Sequence, residues 1–263
     1  EKIKNLCDKH NLYLIEDCCD ALGSKYQNKH VGTFGDIGTL SFYPAHHITM
    51  GEGGGIFCKS SKLKKIIESI RDWGRDCWCE TGCDNTCKKR FDWKLGNLPY
   101  GYDHKYTYSN LGYNLKITDI QASIGLAQFS RLEEFINKRR ENFLYLNNLL
   151  SKLRKHFILP KATPNSNPSW FGFPLTIKSQ SKITRHHLIN YLEENGISTR
   201  LLFGGNVIKQ PYMLNQKYRV VGDLSVSNKI MQKSFWIGIY PGLRKKHLIH
   251  TYKTLEKYCK LYS

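Results

Sequence analysis

Short apolar runs alternate with amphipathic stretches along the first half of the chain. The apolar runs over 12–16, 37–43 and 55–58 are typical of short buried strands, and the last two flank a glycine-rich turn. Apolar residues with a helical period predict a helix over 60–73, capped by a serine at its start. Because strands alternate with helices, we predict an α/β domain with a mainly parallel sheet.

The second half of the chain has a different organisation. Helices are predicted over 119–128 and 132–153, and the boundary between two domains, 1–130 and 131–263, is predicted inside this helical stretch. The later elements predict a smaller α+β unit. They are a strand over 170–177, a helix over 184–195 that ends at Gly196, another short strand, a helix over 224–233 and a final helix over 245–261.

Between these halves lies a segment without a sustained period, residues 74–111. It is crowded with Cys, Gly, Asp, Asn and aromatic residues. A loop of this length in a compact domain is usually functional or disordered. Its tryptophans and cysteines favour an ordered, functional loop.

Charge and composition limit the classes of function. The formal net charge is +18, but the basic residues are dispersed, and no RNA-recognition or helix-turn-helix pattern accompanies them. We therefore predict an anionic small substrate, which the positive electrostatic field of the chain would attract, and no nucleic-acid partner. No apolar run reaches 18 residues, so no membrane association is expected.

The cysteine count and the first residues bear on the compartment. Nine cysteines are an odd number, and residues 1–10 lack the apolar core of a signal peptide. We expect a cytoplasmic protein whose cysteines serve a metal or catalysis rather than a disulfide framework. Residues 1–7 begin without Met and have the pattern of a helix already under way, so we expect a fragment of a longer protein.

One motif resembles a known family. The pair Glu16-Asp17 ends a predicted strand, and residues 41–54 read Ser-Phe-Tyr-Pro-Ala-His-His-Ile-Thr-Met-Gly-Glu-Gly-Gly. This resembles the DegT/DnrJ/EryC1/StrS sugar aminotransferases, which carry Glu-Asp, then Ser-Phe-x-x-x-Lys, then Gly-Glu-Gly-Gly. The resemblance implies the fold type I of pyridoxal phosphate enzymes. Residues 1–130 would be the carboxy-terminal part of the large cofactor-binding domain, and 131–263 the small α+β domain.

The residue at the lysine position of these relatives is His46. That lysine holds pyridoxal phosphate covalently, whereas an imidazole cannot form an imine with an aldehyde. An imidazole can move protons near neutral pH, so we predict that His46 is the catalytic base. His47 is the alternative base. Adjacent residues of an extended or turning segment point to different sides, so the two are not expected to face the cofactor equally.

Further motifs narrow the resemblance. They are Asp-Trp-Gly-Arg-Asp-Cys-Trp-Cys at 72–79, Asp-Asn-Thr-Cys at 84–87, Arg-Phe-Asp-Trp at 90–93, and the stretches 99–106, 112–116, 199–203 and 235–242. Together they resemble the CDP-4-keto-6-deoxy-D-glucose 3-dehydrases, oxidoreductases of 3,6-dideoxyhexose and lipopolysaccharide synthesis, over nearly the whole chain. The resemblance implies pyridoxamine 5′-phosphate bound without a covalent link, a [2Fe–2S] cluster and a CDP-linked 4-keto-6-deoxyhexose as the substrate. It also implies an NADH-dependent iron–sulfur flavoprotein reductase as the partner, and a homodimer.

The resemblance assigns roles to four cofactor residues. Asp17 matches the aspartate that keeps the pyridine nitrogen protonated, and Asp20 stands where transaminase relatives place Gln or His against the ring. Ser41 matches a serine at the cofactor phosphate. Asn114 matches an asparagine that reaches the phosphate of the neighbouring subunit.

The cysteines allow two ligand sets. Four thiols within eleven residues, Cys77, Cys79, Cys83 and Cys87, have a spacing that could hold zinc or an iron–sulfur cluster. The resemblance instead selects Cys19 with Cys77, Cys79 and Cys87, and leaves Cys83 outside the site. Two other functions remain open: a cluster-free pyridoxamine phosphate-dependent sugar 3-dehydratase, and a basic zinc-binding module that contacts nucleic acid. We expect the isolated chain to be inactive, because part of the cofactor-phosphate site would lie upstream.

Overall fold

The structure is a computed structural model, and it describes residues 1–79 and 82–262. In chain order, the strands are β1 (Ile15–Asp17), β2 (Lys25–Tyr26), β3 (Lys29–His30), β4 (Ile37–Ser41), β5 (Gly54–Cys58), β6 (Phe157–Ile158), β7 (Ser166–Asn167), β8 (Phe173–Ile177), β9 (Thr199–Leu201) and β10 (Ser234–Ile237). The α-helices are α1 (Lys2–Lys9), α2 (Ser61–Arg71), α3 (Asp119–Phe129), α4 (Leu132–Leu150), α5 (Arg185–Glu194), α6 (Ser225–Lys233) and α7 (Lys245–Tyr262).

The chain divides into two compact units. The first comprises residues 1–19 and 31–129, and the second comprises 20–30 and the chain from 130 onwards. The short segment 20–30 belongs to the second unit because β2 pairs with β7 in antiparallel register. The predicted first domain, residues 1–130, includes this segment.

The sheet of the first unit has the order β1-β4-β5. β1 and β4 are parallel, whereas β4 and β5 are antiparallel. The prediction of a mainly parallel sheet is therefore wrong for the described strands. The connection between β4 and β5, residues 42–53, contains no described helix, whereas a parallel pair is usually joined by a helical crossover.

The starts of α2 and β1 differ in how well the sequence pattern predicted them. The α2 helix begins where predicted, because the Ser60 hydroxyl accepts a hydrogen bond from the Leu63 N–H at 3.3 Å. Strand β1 starts three residues later than predicted. The Leu14 N–H is donated to the Asp36 carboxylate at 2.8 Å, outside the strand ladder.

The second unit contains a four-stranded antiparallel sheet of order β6-β8-β10-β9. Helices α4, α5 and α7 supply a fully buried apolar core with β8 and β10. Its members include Leu146, Leu150, Leu175, Ile177, Leu188, Leu192, Phe235, Leu255 and Tyr258. Each such side chain contributes roughly 1.5–3 kcal/mol on burial, so this core stabilises the unit.

A buried arginine shortens strand β8 relative to the prediction. The Arg139 guanidinium donates to the carbonyl oxygens of Trp170 and Phe171 at 3.3 and 2.9 Å, so these carbonyls are bound to a side chain. The strand consequently begins at Phe173 rather than at Trp170. Burial lowers the pKa of Arg139 to about 10.

Among the described helices, none combines the length and the apolar character that crossing a bilayer requires.

Candidate active site and cysteine cluster

Asp17 ends β1 and carries a carboxylate that its neighbours keep ionised. Its Oδ1 accepts the backbone N–H of Cys19 at 3.2 Å and the hydroxyl of Thr39 at 3.3 Å. Hydrogen bonds from the Cys19 thiol and backbone, with that of Thr39 and the charge of His46, hold the pKa of Asp17 below its usual range. A carboxylate in this state suits a protonated ring nitrogen as its partner.

His46 lies in the connection between β4 and β5, close enough to Asp17 for its charge to act on that carboxylate. Because β1 and β4 are parallel neighbours, their carboxyl ends reach the same edge of the sheet. Backbone bonds close the connection: Phe42 N–H to Gly53 O at 2.8 Å and Met50 N–H to Phe42 O at 2.9 Å. The structure therefore brings His46 and Asp17 together.

The two adjacent histidines have different surroundings. His46 is half-buried, and its backbone N–H donates to Tyr43 O at 2.9 Å. The rings of His46 and Tyr43 meet edge to face with centroids 5.6 Å apart. His47 is only 3% exposed. The difference agrees with the expectation that the two do not face one pocket equally. The assignment of the base to His46 stays a prediction.

The other predicted cofactor residues belong to different elements. Ser41 is the last residue of β4, and its hydroxyl accepts the Tyr43 N–H at 3.2 Å. Asn114 is exposed, and its backbone forms an isolated bridge with Asp72. Asp20 is half-buried and belongs to the second unit. Their contacts with a cofactor or a neighbouring subunit stay predictions.

Glu16 anchors the end of β1, a role that sequence reasoning missed. Its carboxylate accepts three backbone N–H groups, from Gly32 at 2.8 Å, Phe34 at 2.7 Å and Gly35 at 2.6 Å. These bonds fix the loop that leads into β4. The acidic pair in the sequence signalled two carboxylates, but it did not reveal which one is structural.

Three of the predicted cluster cysteines lie together in the first unit. The sulfurs of Cys77 and Cys79 and a ring nitrogen of His104 lie within 4.8 Å of one another. The sulfur of Cys87 lies 3.4 Å from His104 Nε2. This group, Cys77, Cys79, Cys87 and His104, is called the cysteine cluster below.

The thiols of the cysteine cluster differ in acidity. Hydrogen bonds from the Thr86 side chain and the Cys87 backbone lower the pKa of Cys79 to about 7. Burial raises the pKa of Cys77. Since the thiolate is the form that binds metals, Cys79 is prepared to act as a ligand near neutral pH.

The remaining predicted ligand, Cys19, lies two residues after the end of β1. Its sulfur is 3.9 Å from the Thr39 hydroxyl, and its N–H is donated to Asp17. Cys83, a member of the alternative local set, is exposed. Cys19 as a metal ligand stays a prediction.

Aromatic rings and ion pairs give the 74–111 segment a defined structure in its described residues. Trp78, Trp93 and His104 pack with ring centroids 5.5 to 6.2 Å apart. The Arg90 guanidinium donates to the Asp103 carboxylate at 2.6 and 2.9 Å. Lys105 pairs with Asp84 at 2.5 Å. These contacts agree with the predicted order of this loop.

The comparisons with known proteins identify the family. Residues 1–256 match the DegT/DnrJ/EryC1/StrS aminotransferase family, and the chain belongs to it.

Two relatives are similar over nearly the whole chain. The lipopolysaccharide biosynthesis protein RfbH of Salmonella typhimurium is 61% identical over 98% of this chain and 59% of its own length. The dTDP-4-dehydro-2,6-dideoxy-D-glucose 3-dehydratase of Saccharopolyspora spinosa is 50% identical over 98% of this chain and 56% of its own length. The chain thus spans less than two thirds of these relatives.

The fold has a solved counterpart. The crystal structure of a GDP-4-keto-6-deoxymannose-3-dehydratase with bound GDP-perosamine superposes with a TM-score of 0.82. It is 24% identical, and the match covers 97% of this chain and 63% of that one.

Proposed function

We propose that the protein to which this chain belongs removes the carbon-3 hydroxyl of a nucleotide-linked 4-keto-6-deoxysugar. The observation that carries the proposal is His46, an imidazole at the lysine position of the family, beside the ionised Asp17. The similarity to a sugar 3-dehydratase and to a lipopolysaccharide biosynthesis protein supports it. We place the reaction in the cytoplasm, in 3,6-dideoxysugar synthesis.

The residues at the sheet edge fit pyridoxamine 5′-phosphate. When bound, this cofactor supplies an amine that condenses with the sugar's keto group and a ring that accepts electrons. Asp17 would hold the ring nitrogen in its protonated form, and Ser41 would bind the phosphate. His46 cannot form an imine with the cofactor, and its proposed role is therefore proton transfer.

His46 does its work in two proton transfers. Its imidazole would take a proton from the methylene carbon of bound pyridoxamine phosphate. The imidazolium so formed gives a proton to the departing hydroxyl group, which leaves as water.

The thiols fit an iron–sulfur centre with Cys19, Cys77, Cys79 and Cys87 as its ligands. The gathering of three of these thiols and the lowered pKa of Cys79 support this set. Loss of the hydroxyl as water leaves an unsaturated sugar, and its reduction to the deoxy product would need two electrons and two protons. One NADH would supply the electrons through a partner iron–sulfur flavoprotein reductase, and a [2Fe–2S] cluster held by these cysteines would pass them one at a time.

Among nucleotide-linked sugars, we assign a CDP-linked 4-keto-6-deoxyhexose as the substrate. This assignment rests on the motifs over 72–116 and agrees with the similarity to RfbH, which is named for lipopolysaccharide biosynthesis. The net charge of +18 favours an anionic nucleotide sugar. In the proposed homodimer, Asn114 would reach the cofactor phosphate of the neighbouring subunit.

The experiment that tests the function replaces His46 by Asn in the full-length protein. We expect hydroxyl loss, measured by mass spectrometry of the sugar product, to fall by at least about 100-fold, because a general base contributes 10²–10⁴-fold. Absorbance should show that pyridoxamine phosphate still binds. His10→Asn, in an exposed residue at the end of α1, should leave turnover unchanged. Retained turnover in the His46→Asn variant would refute the proposed base.

Metal analysis separates the alternatives, because Cys77, Cys79 and His104 together could also hold zinc. Anaerobically purified protein should contain iron and acid-labile sulfide, and Cys77→Ser should bleach its visible absorbance. Absence of metal would favour a cluster-free dehydratase. Zinc in place of iron would favour the basic zinc-binding module.

A further inference from the structure

His104 is held rigidly against Cys87 inside the cysteine cluster. It is 1% exposed and begins a 3₁₀ turn. Its backbone N–H donates to Arg90 O at 3.3 Å, and its backbone carbonyl accepts the Thr107 N–H at 3.1 Å. Its ring lies nearly parallel to that of Trp93, with an interplanar angle of 19°. The Nε2 atom is thereby fixed 3.4 Å from the sulfur of Cys87.

We infer that His104 donates its Nε2–H to the sulfur of Cys87 and thereby raises the reduction potential of an iron–sulfur centre held by that sulfur. The inference rests on the proposed function, since it takes Cys87 as a cluster ligand. It assigns to His104 a positioning and tuning role rather than a place among the ligands.

The surroundings of the ring determine which nitrogen carries the proton. Among the described residues, His104 Nδ1 is buried and has no hydrogen-bond partner. A proton on Nδ1 would be a buried donor without an acceptor, which is energetically unfavourable. A metal-bound thiolate has no proton and can only accept a hydrogen bond. Nε2 can therefore bond to the sulfur only when Nε2 itself carries the proton. Both arguments place the proton on Nε2.

Such a bond acts differently on the two oxidation states. Reduction adds negative charge to the cluster and its sulfurs, and a hydrogen bond to a more negative acceptor is stronger. The bond therefore stabilises the reduced state more than the oxidised state, and the potential rises. Without the donor, the cluster should be harder to reduce.

The test uses His104→Phe in the anaerobic full-length protein, because phenylalanine keeps a stacked ring but has no N–H. The midpoint potential is measured by titration with dithionite, which supplies the electron, and is followed by absorbance and electron paramagnetic resonance. At a fixed potential we expect a reduced-to-oxidised ratio lower by up to about tenfold, which is 59 mV for a one-electron couple. Iron content should stay at the wild-type value.

Two further variants make the test specific. His104→Gln places an amide N–H near the position of Nε2 and should restore much of the potential. His187→Phe removes a histidine of the second unit, whose ring bonds the Tyr258 hydroxyl, and should leave the potential unchanged.

Three results would overturn the inference, and they can be told apart. An unchanged potential in His104→Phe with full iron content refutes the tuning role alone. Loss of iron in both His104 variants, with iron retained in Cys19→Ser, would make His104 a ligand. A wild-type protein with zinc or no metal would refute both this inference and the proposed cluster.

Discussion

Two adjacent carboxylates at the end of β1 have different tasks. Successive side chains of a strand point to opposite faces, so Glu16 and Asp17 meet different neighbours. Glu16 binds three backbone N–H groups of the 32–35 loop, whereas Asp17 bonds Cys19 and Thr39 and lies near His46. The sequence predicted a functional acid at position 17. The structural acid at 16 depends on a loop fold that no local pattern specifies.

Glu16→Ala should destabilise the first unit. Loss of the carboxylate leaves three N–H groups without their acceptor, and we expect a cost of about 3 kcal/mol, since each such group costs about 1–3 kcal/mol and water can replace part of the loss. Differential scanning calorimetry should show a lower melting temperature. Glu68→Ala, which removes only an exposed ion pair with Lys64, should change it little. Equal melting temperatures of the two variants would contradict the anchoring role.

The place of His104 in the cysteine cluster could not be predicted from the sequence. The Cys-x-Cys motif pointed to Cys77 and Cys79, but a histidine 25 or more positions further on gave no comparable signal. Only the turn over 104–106 and the stacking with Trp93 place it in the cysteine cluster. A histidine inside a cysteine-rich loop was the one hint available.

At the scale of elements, α3 supports the connection that carries His46. Gly125 is the buried residue of this helix, and a Cβ there would lie 2.6 Å from Met50 Cγ. The side-chain amide of Gln121 also donates to Glu52 O at 3.0 Å. Glycine at 125 thus allows the helix to approach the connection closely.

Gly125→Val should displace the His46 connection. Overpacking of this kind costs about 1–3 kcal/mol, and we expect a lower melting temperature together with a several-fold loss of sugar dehydration. Ser123→Ala in the same helix removes only a local bond to Ile120 O and serves as the control. Wild-type activity in the valine variant would show that α3 does not position His46.

Helices were predicted better than strands, for a physical reason. Caps and a 3.6-residue period are local, and α2, α3, α6 and α7 begin and end within about two residues of the predicted bounds. Strand bounds depend on distant partners. Asp36 binds Leu14 ahead of β1, and Arg139 binds Trp170 ahead of β8, and neither contact has a periodic signature.

At the scale of the whole molecule, the division into units was the hardest feature to predict. Segment 20–30 belongs with the later chain because Lys25–Tyr26 pairs with Ser166–Asn167. A two-residue strand that pairs across about 140 residues leaves no pattern in a local window. The family, in contrast, was predicted from its motifs and is confirmed over residues 1–256.

The net charge of this chain leads to a prediction about how the substrate is attracted. If the positive field attracts an anionic nucleotide sugar, kcat/KM should fall as salt shortens the Debye length from about 30 Å at 0.01 M to about 3 Å at 1 M. Steady-state kinetics across this range would measure it, with the melting temperature followed as a control for unfolding. A kcat/KM that is independent of salt would contradict electrostatic attraction.

The proposed dehydration chemistry depends most on His46 facing the cofactor without binding it covalently. The direct measurement is intact-mass spectrometry after the full-length protein is mixed with pyridoxal phosphate and reduced with borohydride. Wild-type protein should gain no cofactor mass at position 46, whereas His46→Lys should gain one cofactor on the introduced lysine, located by peptide mapping. A His46→Lys protein that folds but gains no cofactor at position 46 would contradict the account.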